Sequence, residues 1–385
     1  MSEKNKLPEK IKLCCITNNV QTGGAGKSLL ILVKELSKLF SVSVLARSKK
    51  LPDTYDSQSV NYFRIRSGFF PFHYLSGARA PFLINYFAWA ARCFFITNTL
   101  SIIKSQNPDV ILINGFQGVW YLPFLPRRHK VILYARELLD TKKVTSRFAI
   151  ILINKYVHHV ICITENEKNN LPKLTCPVSV VFNSYENEIK VPGDNSLSTP
   201  NGIKIGVFGT IQHVKGQYLL LNLVEKYKRE LEQLGIKFYL FGGKSTYTTR
   251  KGGQEELIAV VKNNKWEKHF EFPGWVENIE KAMHSVDIIL RTDTSGCPWG
   301  RDIIEAMSNA KPVIAAGYSE VFIKNGETGV LFEPNNIDSM WQAIKTVCDS
   351  REKMLRLGQN GFTFAKKNFD ASTNAKKVFE IINQL

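Results

Sequence analysis

A run of ten residues, 298–307, combines residue types suited to binding a phosphate and a ribose. It reads Pro-Trp-Gly-Arg-Asp-Ile-Ile-Glu-Ala-Met. The helical period places Ile303 and Met307 on one side and Arg301 and Glu305 on the other. A helix N-terminus that opens on a glycine offers free N–H groups to an anion. A carboxylate one turn later can accept two hydrogen bonds from a ribose diol.

The same spacing has a simpler interpretation. Arg301 and Glu305 are four residues apart, so they could form an ion pair on the exposed side of a surface helix. Such a pair stabilises a helix by about 0.3 kcal/mol and implies no ligand. This run alone leaves the two interpretations equally open, and the segments around it decide between them.

Several glycine-containing segments lie on either side of this run, in an order set by alternating strand and helix patterns. A short apolar strand with a Gly-Thr turn is followed by Lys-Gly-Gln, and a second strand ends in Phe-Gly-Gly. Further segments read Phe-Pro-Gly-Trp-Val and Gly-Glu-Thr-Gly-Val-Leu-Phe. These segments are residues 203–210, 215–217, 241–243, 272–276 and 326–332. One such segment is weak evidence, whereas five in this order point to one architecture.

Together the segments resemble the retaining glycosyltransferases of family 4 (glycosyl transferases group 1), in the subgroup that reads PWGRD-IIEA. The resemblance spans nearly the whole chain and is strongest over 202–338. It implies an α/β fold of the GT-B type, with two facing Rossmann-like domains, parallel sheets and a C-terminal crossover helix. We predict an acceptor-binding domain at 1–190, a nucleotide-sugar-binding domain at 203–368 and the crossover helix at 369–385.

The resemblance also implies roles for individual residues. The donor is expected to be a UDP- or GDP-sugar, bound without a metal ion or other cofactor. Lys215 is the candidate cation for the departing diphosphate, Gly300 and Arg301 form the helix N-terminus beside it, and Glu305 binds the ribose. The other residues implied to border the donor are Gly23, Gly24, Ala25, Gly209, Thr210, Trp275, Val276 and Cys297.

The chain departs from the family pattern at three places. Cys297 stands where the family usually has an acid, and Thr210 stands where it often has arginine. Arg136 and Glu137 replace a histidine–acid pair, so Arg136 is either a ligand of an acceptor phosphate or donor sugar, or a structural residue. The departures at Cys297 and Thr210 leave open a second function, a GT-B binding or scaffold protein that has lost transfer. No residue is assigned as catalytic base.

A glycine turn near the N-terminus permits a third interpretation. Residues 23–28 read Gly-Gly-Ala-Gly-Lys-Ser, which ends like the phosphate loop of an ATPase. That motif requires glycine where this chain has Gln21, and its variant requires lysine where this chain has Thr22. We therefore favour the glycosyltransferase interpretation, in which a helix follows the turn from Ser28.

Length, charge and cysteine content limit the class of protein. A chain of 385 residues is expected to form two domains. Seven cysteines without a CxxC pair indicate reduced thiols, and the first six residues do not read as a signal peptide, so a cytoplasmic location is predicted. The net charge is +17, and residues 1–200 hold 26 Lys and Arg against 13 Asp and Glu.

This positive charge favours an anionic membrane surface over nucleic acid as partner, because no nucleic-acid-binding module is recognisable. Residues 64–79 mix arginines with aromatic residues, which suits a membrane interface. Residues 81–104 are about long enough to span a bilayer, but Asn85, Arg92 and Asn98 interrupt them, which favours a long helix packed on the sheet. We expect a peripheral protein on the inner face of the membrane. Its acceptor would be a glycan or a lipid-linked sugar in cell-envelope assembly.

Overall fold

The computed structural model describes residues 10–20, 24–52, 60–66, 95–186, 202–243 and 253–385. Gly23, residues 67–94 and the predicted linker up to residue 201 lie outside the described residues. The chain divides into two compact units. The N-terminal unit comprises Met1–Glu186 with Ala371–Leu385, and the C-terminal unit is Asn187–Asp370.

The N-terminal unit contains a parallel sheet of seven strands in the order β3-β2-β1-β4-β5-β6-β7. Because both faces of a parallel sheet are covered, its strands are nearly continuous apolar runs. They are β1 (Lys12–Thr17), β2 (Ser41–Ala46), β3 (Asn61–Arg64), β4 (Val110–Asn114), β5 (Lys130–Ala135), β6 (His159–Cys162) and β7 (Val178–Val180).

Helices cover both faces of this sheet. They are α1 (Gly24–Leu36), α2 (Ile96–Gln106), α3 (Val144–Tyr156) and α4 (Glu165–Asn170), with a 3₁₀ helix at Phe116–Phe124 and a C-terminal helix at Ala371–Asn383. Alternate residues of β1 point to opposite sides. Leu13 and Cys15 join the core beneath α1 and the C-terminal helix, whereas Cys14 and Ile16 join the core beneath the 3₁₀ helix and α3.

The C-terminal unit contains a second parallel sheet, of six strands in the order β10-β9-β8-β11-β12-β13. The strands are β8 (Lys204–Phe208), β9 (Lys237–Phe241), β10 (Phe270–Gly274), β11 (Ile288–Arg291), β12 (Val313–Ala316) and β13 (Val330–Phe332). The helices are α5 (Leu219–Gln233), α6 (Gln254–Asn263), α7 (Ile279–His284), α8 (Arg301–Ser308), α9 (Ile337–Cys348) and α10 (Arg351–Asn368). Both units are thus Rossmann-like.

The first helix begins earlier than the sequence indicated. Gly24, Ala25 and Gly26 are the first residues of α1 rather than a turn before Ser28. Gly26 makes this possible, because a Cβ there would lie 2.3 Å from the carbonyl oxygen of Asn19. The absent side chain lets the first turn of α1 lie directly on the loop that leaves β1.

The predicted long segment at 81–104 is described only in its last part. Phe95 precedes α2, which continues to Gln106 and buries Thr99 and Ile103. Within the described ranges, none of the helices is both long enough and apolar enough to cross a membrane.

Candidate functional site

Lys215 lies at the point where the C-terminal sheet reverses its strand order. The connections from β8 and β11 leave in opposite directions there, and open α/β sheets bind ligands in the crevice outside the carboxyl ends of the strands at such a point. The Thr292 hydroxyl, after β11, donates to the Lys215 carbonyl at 2.6 Å. Gly216 has a φ of +71°, and a Cβ there would lie 1.9 Å from the Thr292 carbonyl oxygen. The Lys-Gly pair is therefore fitted to the end of β11.

An ion network holds the Lys215 side chain at this crevice. Lys215 Nζ lies 3.1 Å from Asp293 Oδ2, and Arg291 Nη2 lies 2.9 Å from the same oxygen. Arg291 Nη1 donates to both carboxylate oxygens of Asp302, at 2.8 and 2.9 Å. Arg291 Nε donates to the carbonyl oxygen of Cys297 at 2.8 Å. Two cations and two anions thus join the ends of β8 and β11 to the first turn of α8.

Burial and charge act in opposite directions on this network. Burial alone would lower the pKa of Arg291, but the carboxylates of Asp302 and Asp293 outweigh it and raise that pKa. Burial alone would raise the pKa of Asp293, but Arg291 and Lys215 hold it below its ordinary value. Asp293 is 4% exposed, whereas the Lys215 side chain is 34% exposed. Lys215 is therefore anchored from beneath and still reaches solvent.

Arg291, Asp293 and Asp302 were missed as site residues in the sequence analysis. A signal was available, because Arg-Thr-Asp directly follows the buried run of β11, and charges at the carboxyl end of a parallel strand lie at the ligand-binding edge. The bond between Arg291 and Asp302, however, depends on how α8 returns to the sheet.

Gly300 lies at the start of α8, against an ion pair. A Cβ on Gly300 would lie 2.5 Å from Asp302 Oδ1 and 2.7 Å from Arg291 Nη1. The absent side chain leaves room for the Arg291–Asp302 pair beneath the helix N-terminus. Asp302 in this turn also complements the positive end of the helix dipole.

Arg301 and Glu305 do not form the solvated surface pair considered above. Arg301 Nη2 lies 3.1 Å from Glu305 Oε1, and the two side chains are only 12% and 9% exposed. The polar side of α8 is therefore largely covered, and Asp302 and Glu305 are both buried. The ion pair with Arg301 holds the Glu305 carboxylate in one direction.

Glycine turns follow the neighbouring strands at the same edge. The Gly209 amide donates to the Phe241 carbonyl at 2.9 Å, and the Gly242 amide donates to the Gly274 carbonyl at 2.8 Å. Gly242 has a φ of +151°, and a Cβ there would lie 2.0 Å from the Gly209 carbonyl oxygen. The backbones after β8, β9 and β10 therefore lie against one another, with no side chains between them.

The remaining predicted donor residues border these turns. The Thr210 carbonyl accepts from Gln217 Nε2 at 3.2 Å, so the Lys-Gly-Gln segment also holds the turn after β8. Trp275 is 73% exposed and Val276 is half-buried. Cys297 is buried, and its carbonyl is held by Arg291.

A separate polar cluster lies at the carboxyl edge of the N-terminal sheet. Asn114 Nδ2, after β4, donates to Thr17 Oγ1 at the end of β1 at 3.0 Å. Arg136 donates to the side-chain oxygens of Asn114 and Asn183. Its guanidinium carbon lies 4.1 Å from the Tyr134 ring centroid. Arg136 is buried in these contacts, which favours the structural role left open by the sequence.

Glu137 completes this cluster. Its carboxylate lies against Gly115, whose Cβ would be 3.1 Å from Glu137 Oε1. Burial raises the pKa of Glu137 to about 6, although the Phe116 amide and the charge of Arg136 oppose the increase. Within the described part of the chain, Oε2 of Glu137 is buried without a hydrogen-bond partner.

Other candidate ligands are accounted for differently. Lys27, the lysine of the phosphate-loop interpretation, lies in the first turns of α1 and forms an ion pair with Glu186 at 3.0 Å. Across the described ranges, no three His, Cys, Asp or Glu side chains are grouped so as to hold a metal ion.

Comparison with known proteins connects the C-terminal network to a family. Residues 194–364 match the family model of the glycosyl transferases group 1. The C-terminal unit carries a glycosyl transferases group 1 domain. This domain contains Lys215, the Arg291 network and α8, and it supports glycosyltransferase activity. An uncharacterized glycosyltransferase of Methanocaldococcus jannaschii is 25% identical over 280 residues, which is 69% of this chain and 73% of that protein.

Solved structures show the same fold over nearly the whole length. Sucrose-phosphate synthase from Thermosynechococcus elongatus matches 97% of this chain and 99% of its own, with a TM-score of 0.79 and 15% identity. HepE from Anabaena, solved with UDP-glucose, matches 97% of this chain and 100% of its own, with a TM-score of 0.76 and 18% identity. With the group 1 domain in the C-terminal unit and the C-terminal helix packed on the N-terminal unit, the fold is GT-B, as predicted.

Proposed function

We propose that this protein is a retaining, metal-independent glycosyltransferase that transfers a sugar from a nucleotide-sugar donor to an acceptor hydroxyl. One observation carries the proposal. The group 1 domain places an anchored but solvent-accessible Lys215 at the switch point of its sheet, beside the N-terminus of α8. A crevice at this point of a Rossmann-like sheet is where such folds bind nucleotides.

The chemistry explains the need for this arrangement. Breaking the anomeric C–O bond leaves negative charge on the departing diphosphate, and positive groups fixed beforehand lower the cost of that charge. Lys215 is assigned to this role. Asp293 keeps the ammonium in place without removing it from solvent, so little reorganisation is needed when the diphosphate leaves.

The nucleoside half of the donor is assigned to the elements around this lysine. The N-terminus of α8 at Gly300 and Arg301 suits a phosphate, and the carboxylate of Glu305 suits the ribose hydroxyls. The exposed ring of Trp275 suits stacking beside the base, and the glycine turn at Gly209 lets backbone approach the diphosphate. UDP-sugars are the first donors to test, because HepE was solved with UDP-glucose.

Acceptor binding is assigned to the N-terminal unit, at the carboxyl edge of its sheet beside the Arg136 cluster. The acceptor class we propose is a glycan or a lipid-linked sugar in cell-envelope polysaccharide or glycolipid assembly. We assign no side chain as catalytic base, and propose that the leaving phosphate takes the proton from the acceptor hydroxyl. That route is compatible with retention.

The proposal is tested by a thermal-shift screen of UDP-, GDP-, ADP- and CMP-sugars and ATP, followed by a nucleotide-release assay. Stabilisation by one nucleotide sugar, with slow release of its nucleotide, is the expected result. Binding without release, even with a panel of acceptors, would make the protein a binding or scaffold protein. Stabilisation and hydrolysis of ATP alone would overturn the proposal.

Glu305→Gln is the first variant to compare in this screen. We expect it to weaken donor binding by about 1–3 kcal/mol, because a charged acceptor for two hydroxyl groups becomes neutral. Titration calorimetry with the donor found in the screen measures the change. Glu352→Gln, an exposed glutamate on α10, is the control with the same charge change. Equal affinity of the parent and Glu305→Gln would contradict the ribose assignment.

A further inference from the structure

Helix α3 of the N-terminal unit carries an unusual set of exposed apolar side chains. Val144, Phe148 and Ile151 are 79%, 52% and 61% exposed. Their spacing of four and three residues places them on one side of the helix. Among the described helices, no other carries more than one large hydrophobic residue exposed to this degree.

The opposite side of α3 packs against the core of the N-terminal unit. Ser146, Ala149, Leu152 and Ile153 are buried, and the last three belong to the core beneath the 3₁₀ helix and α3. The exposed stripe is therefore additional to the core. Exposure of these apolar side chains to water is unfavourable in free energy. A second surface that covers them would therefore be favourable.

Basic residues border this stripe. Lys142 and Lys143 precede the helix, Arg147 and Lys155 lie on it, and all four are exposed. Residues 144–156 include no Asp or Glu. Lysine and arginine stems can lie along an apolar surface while their charged ends reach an anionic layer above it.

The 3₁₀ helix beside α3 ends in a similar combination of residues. It packs against α3 and ends at Phe124, which is 44% exposed, and the exposed Arg127 and Arg128 follow. Trp120 lies edge-on to Phe124, with ring centroids 5.4 Å apart. Apolar and aromatic side chains with bordering cations are the composition of surfaces that lie in a membrane interface.

We propose that this α3 face, defined as Val144, Phe148, Ile151, Arg147 and Lys155, docks the N-terminal unit on an anionic lipid bilayer. Phe148 and Ile151 enter the interface, and Arg147 and Lys155 contact the lipid phosphates. Charge complementarity selects this occupant, because residues 141–156 include four Lys and Arg and no Asp or Glu. The inference concerns a surface other than residues 64–79, and it does not depend on the transfer reaction.

The test is cosedimentation of the full chain with vesicles of phosphatidylglycerol and phosphatidylcholine, compared with pure phosphatidylcholine. The parent should bind the anionic vesicles more strongly, and less so as salt rises. Phe148→Ser with Ile151→Ser should reduce binding at least tenfold. Arg147→Gln with Lys155→Gln should reduce it about fivefold per charge and weaken the salt dependence.

Matched controls lie in the C-terminal unit. Leu355→Ser removes an apolar residue that is 40% exposed on α10, and Lys366→Gln with Lys367→Gln removes two exposed charges from the same helix. These variants should bind vesicles like the parent. Arg64→Gln with Arg66→Gln measures separately the contribution of the segment that the sequence analysis favoured.

Two results would overturn the inference. In the first, the Phe148→Ser, Ile151→Ser double variant binds anionic vesicles as tightly as the parent does. In the second, the parent self-associates without lipid and the same double variant does not. That result would assign the α3 face to a second copy of the chain. Nucleotide release measured without vesicles should be equal in parent and variant, so failure of docking and failure of transfer are distinguishable.

Discussion

At the residue scale, Lys215 and Arg291 share the carboxylate of Asp293. Arg291 has a second carboxylate in Asp302, whereas Asp293 is the ion-pair partner by which the structure anchors Lys215. Asp293 is thus a positioning residue, which acts on the donor through the lysine. Arg291 in turn secures Asp293 from the buried side.

Asp293→Asn and Lys215→Ala test this relationship. Lys215→Ala should reduce turnover more than binding of the free nucleoside, because its charge is needed as the diphosphate leaves. Asp293→Asn should reduce turnover by about tenfold, since the ammonium is no longer held in one direction. The measurements are kcat and KM with the donor found in the screen.

The double variant decides whether Asp293 acts through Lys215. If it does, Asp293→Asn should have little further effect on turnover in the Lys215→Ala background. If the two variants reduce turnover additively, Asp293 contributes to turnover independently of Lys215. Asp349→Asn, an exposed aspartate at the end of α9, serves as the control for the charge change.

Glu137 offers a second prediction at this scale, on pH. Its pKa is raised from 4.5 to about 6 in the folded protein, so the contribution of Glu137 to stability is present below about pH 4.5. It is lost as the pH rises through about 6, by on the order of 2 kcal/mol. Glu137→Gln should remove this loss and be more stable than the parent at pH 8.

Urea unfolding of parent and Glu137→Gln at pH 5 and pH 8 measures the effect. A glutamine oxygen can still accept the Phe116 amide, so the variant retains that backbone contact. Equal pH dependence in parent and variant would mean that Glu137 ionises freely and that its burial has no energetic consequence.

At the scale of elements, the C-terminal site depends on close contacts between connections that leave different strands. Gly209 and Gly242 bring together the turns after β8 and β9, and Gly216 fits the turn before α5 against the end of β11. At Gly242 and Gly216 a Cβ would lie 2.0 and 1.9 Å from a neighbouring carbonyl oxygen. Glycine is therefore required by tertiary contact as much as by its own φ.

Gly216→Ala measures this requirement. The positive φ alone should cost about 1 kcal/mol, and the 1.9 Å approach to Thr292 must be relieved by moving Lys215 or β11. We expect a total loss of about 2–4 kcal/mol in stability, accompanied by reduced turnover. Gly253→Ala is the matched control, because a Cβ there meets no atom within 4 Å. If Gly216→Ala has the same stability and turnover as the parent, the Lys-Gly turn adapts easily to a Cβ.

At the scale of the whole molecule, the last helix belongs to the unit that begins the chain. Val378 and Ile382 lie in the core beneath α1, and Phe379 stacks on Phe40 with ring centroids 5.3 Å apart. Asn374 Nδ2 donates to the Phe182 carbonyl at 3.2 Å, at the end of the N-terminal sheet. The N-terminal unit is therefore complete only after the C-terminal unit has been synthesised.

Val378→Ala should destabilise the N-terminal unit by about 2 kcal/mol, through lost burial and the cavity left behind. The change should leave the thermal stabilisation of the C-terminal unit by nucleotide unaltered. Hydrogen exchange of the core strands in each unit measures the two effects separately. Lys376→Ala, exposed on the same helix, is the control, and equal loss of protection in both units would contradict the assignment.

The sequence by itself determined the elements. The strands β1 (Lys12–Thr17), β4 (Val110–Asn114) and β5 (Lys130–Ala135) each coincide with an apolar run of the sequence. Such strands can be recognised because a parallel sheet buries both of their faces, which leaves an apolar run in the sequence. The glycine and lysine motifs were likewise visible, since each is local.

Contacts between elements were decided only by the tertiary structure. Arg291 and Asp302 meet because α8 returns its first turn to the end of β11, and Glu305 is covered because both sides of that helix are occupied. The start of α1 at Gly24 depends on the nearby backbone of Asn19. Nor does the pattern of α3 predict which of its apolar sides faces the core. The helical and strand periods specify which residues share one side of a helix or strand. The order of the strands in the sheet specifies which other elements that side contacts.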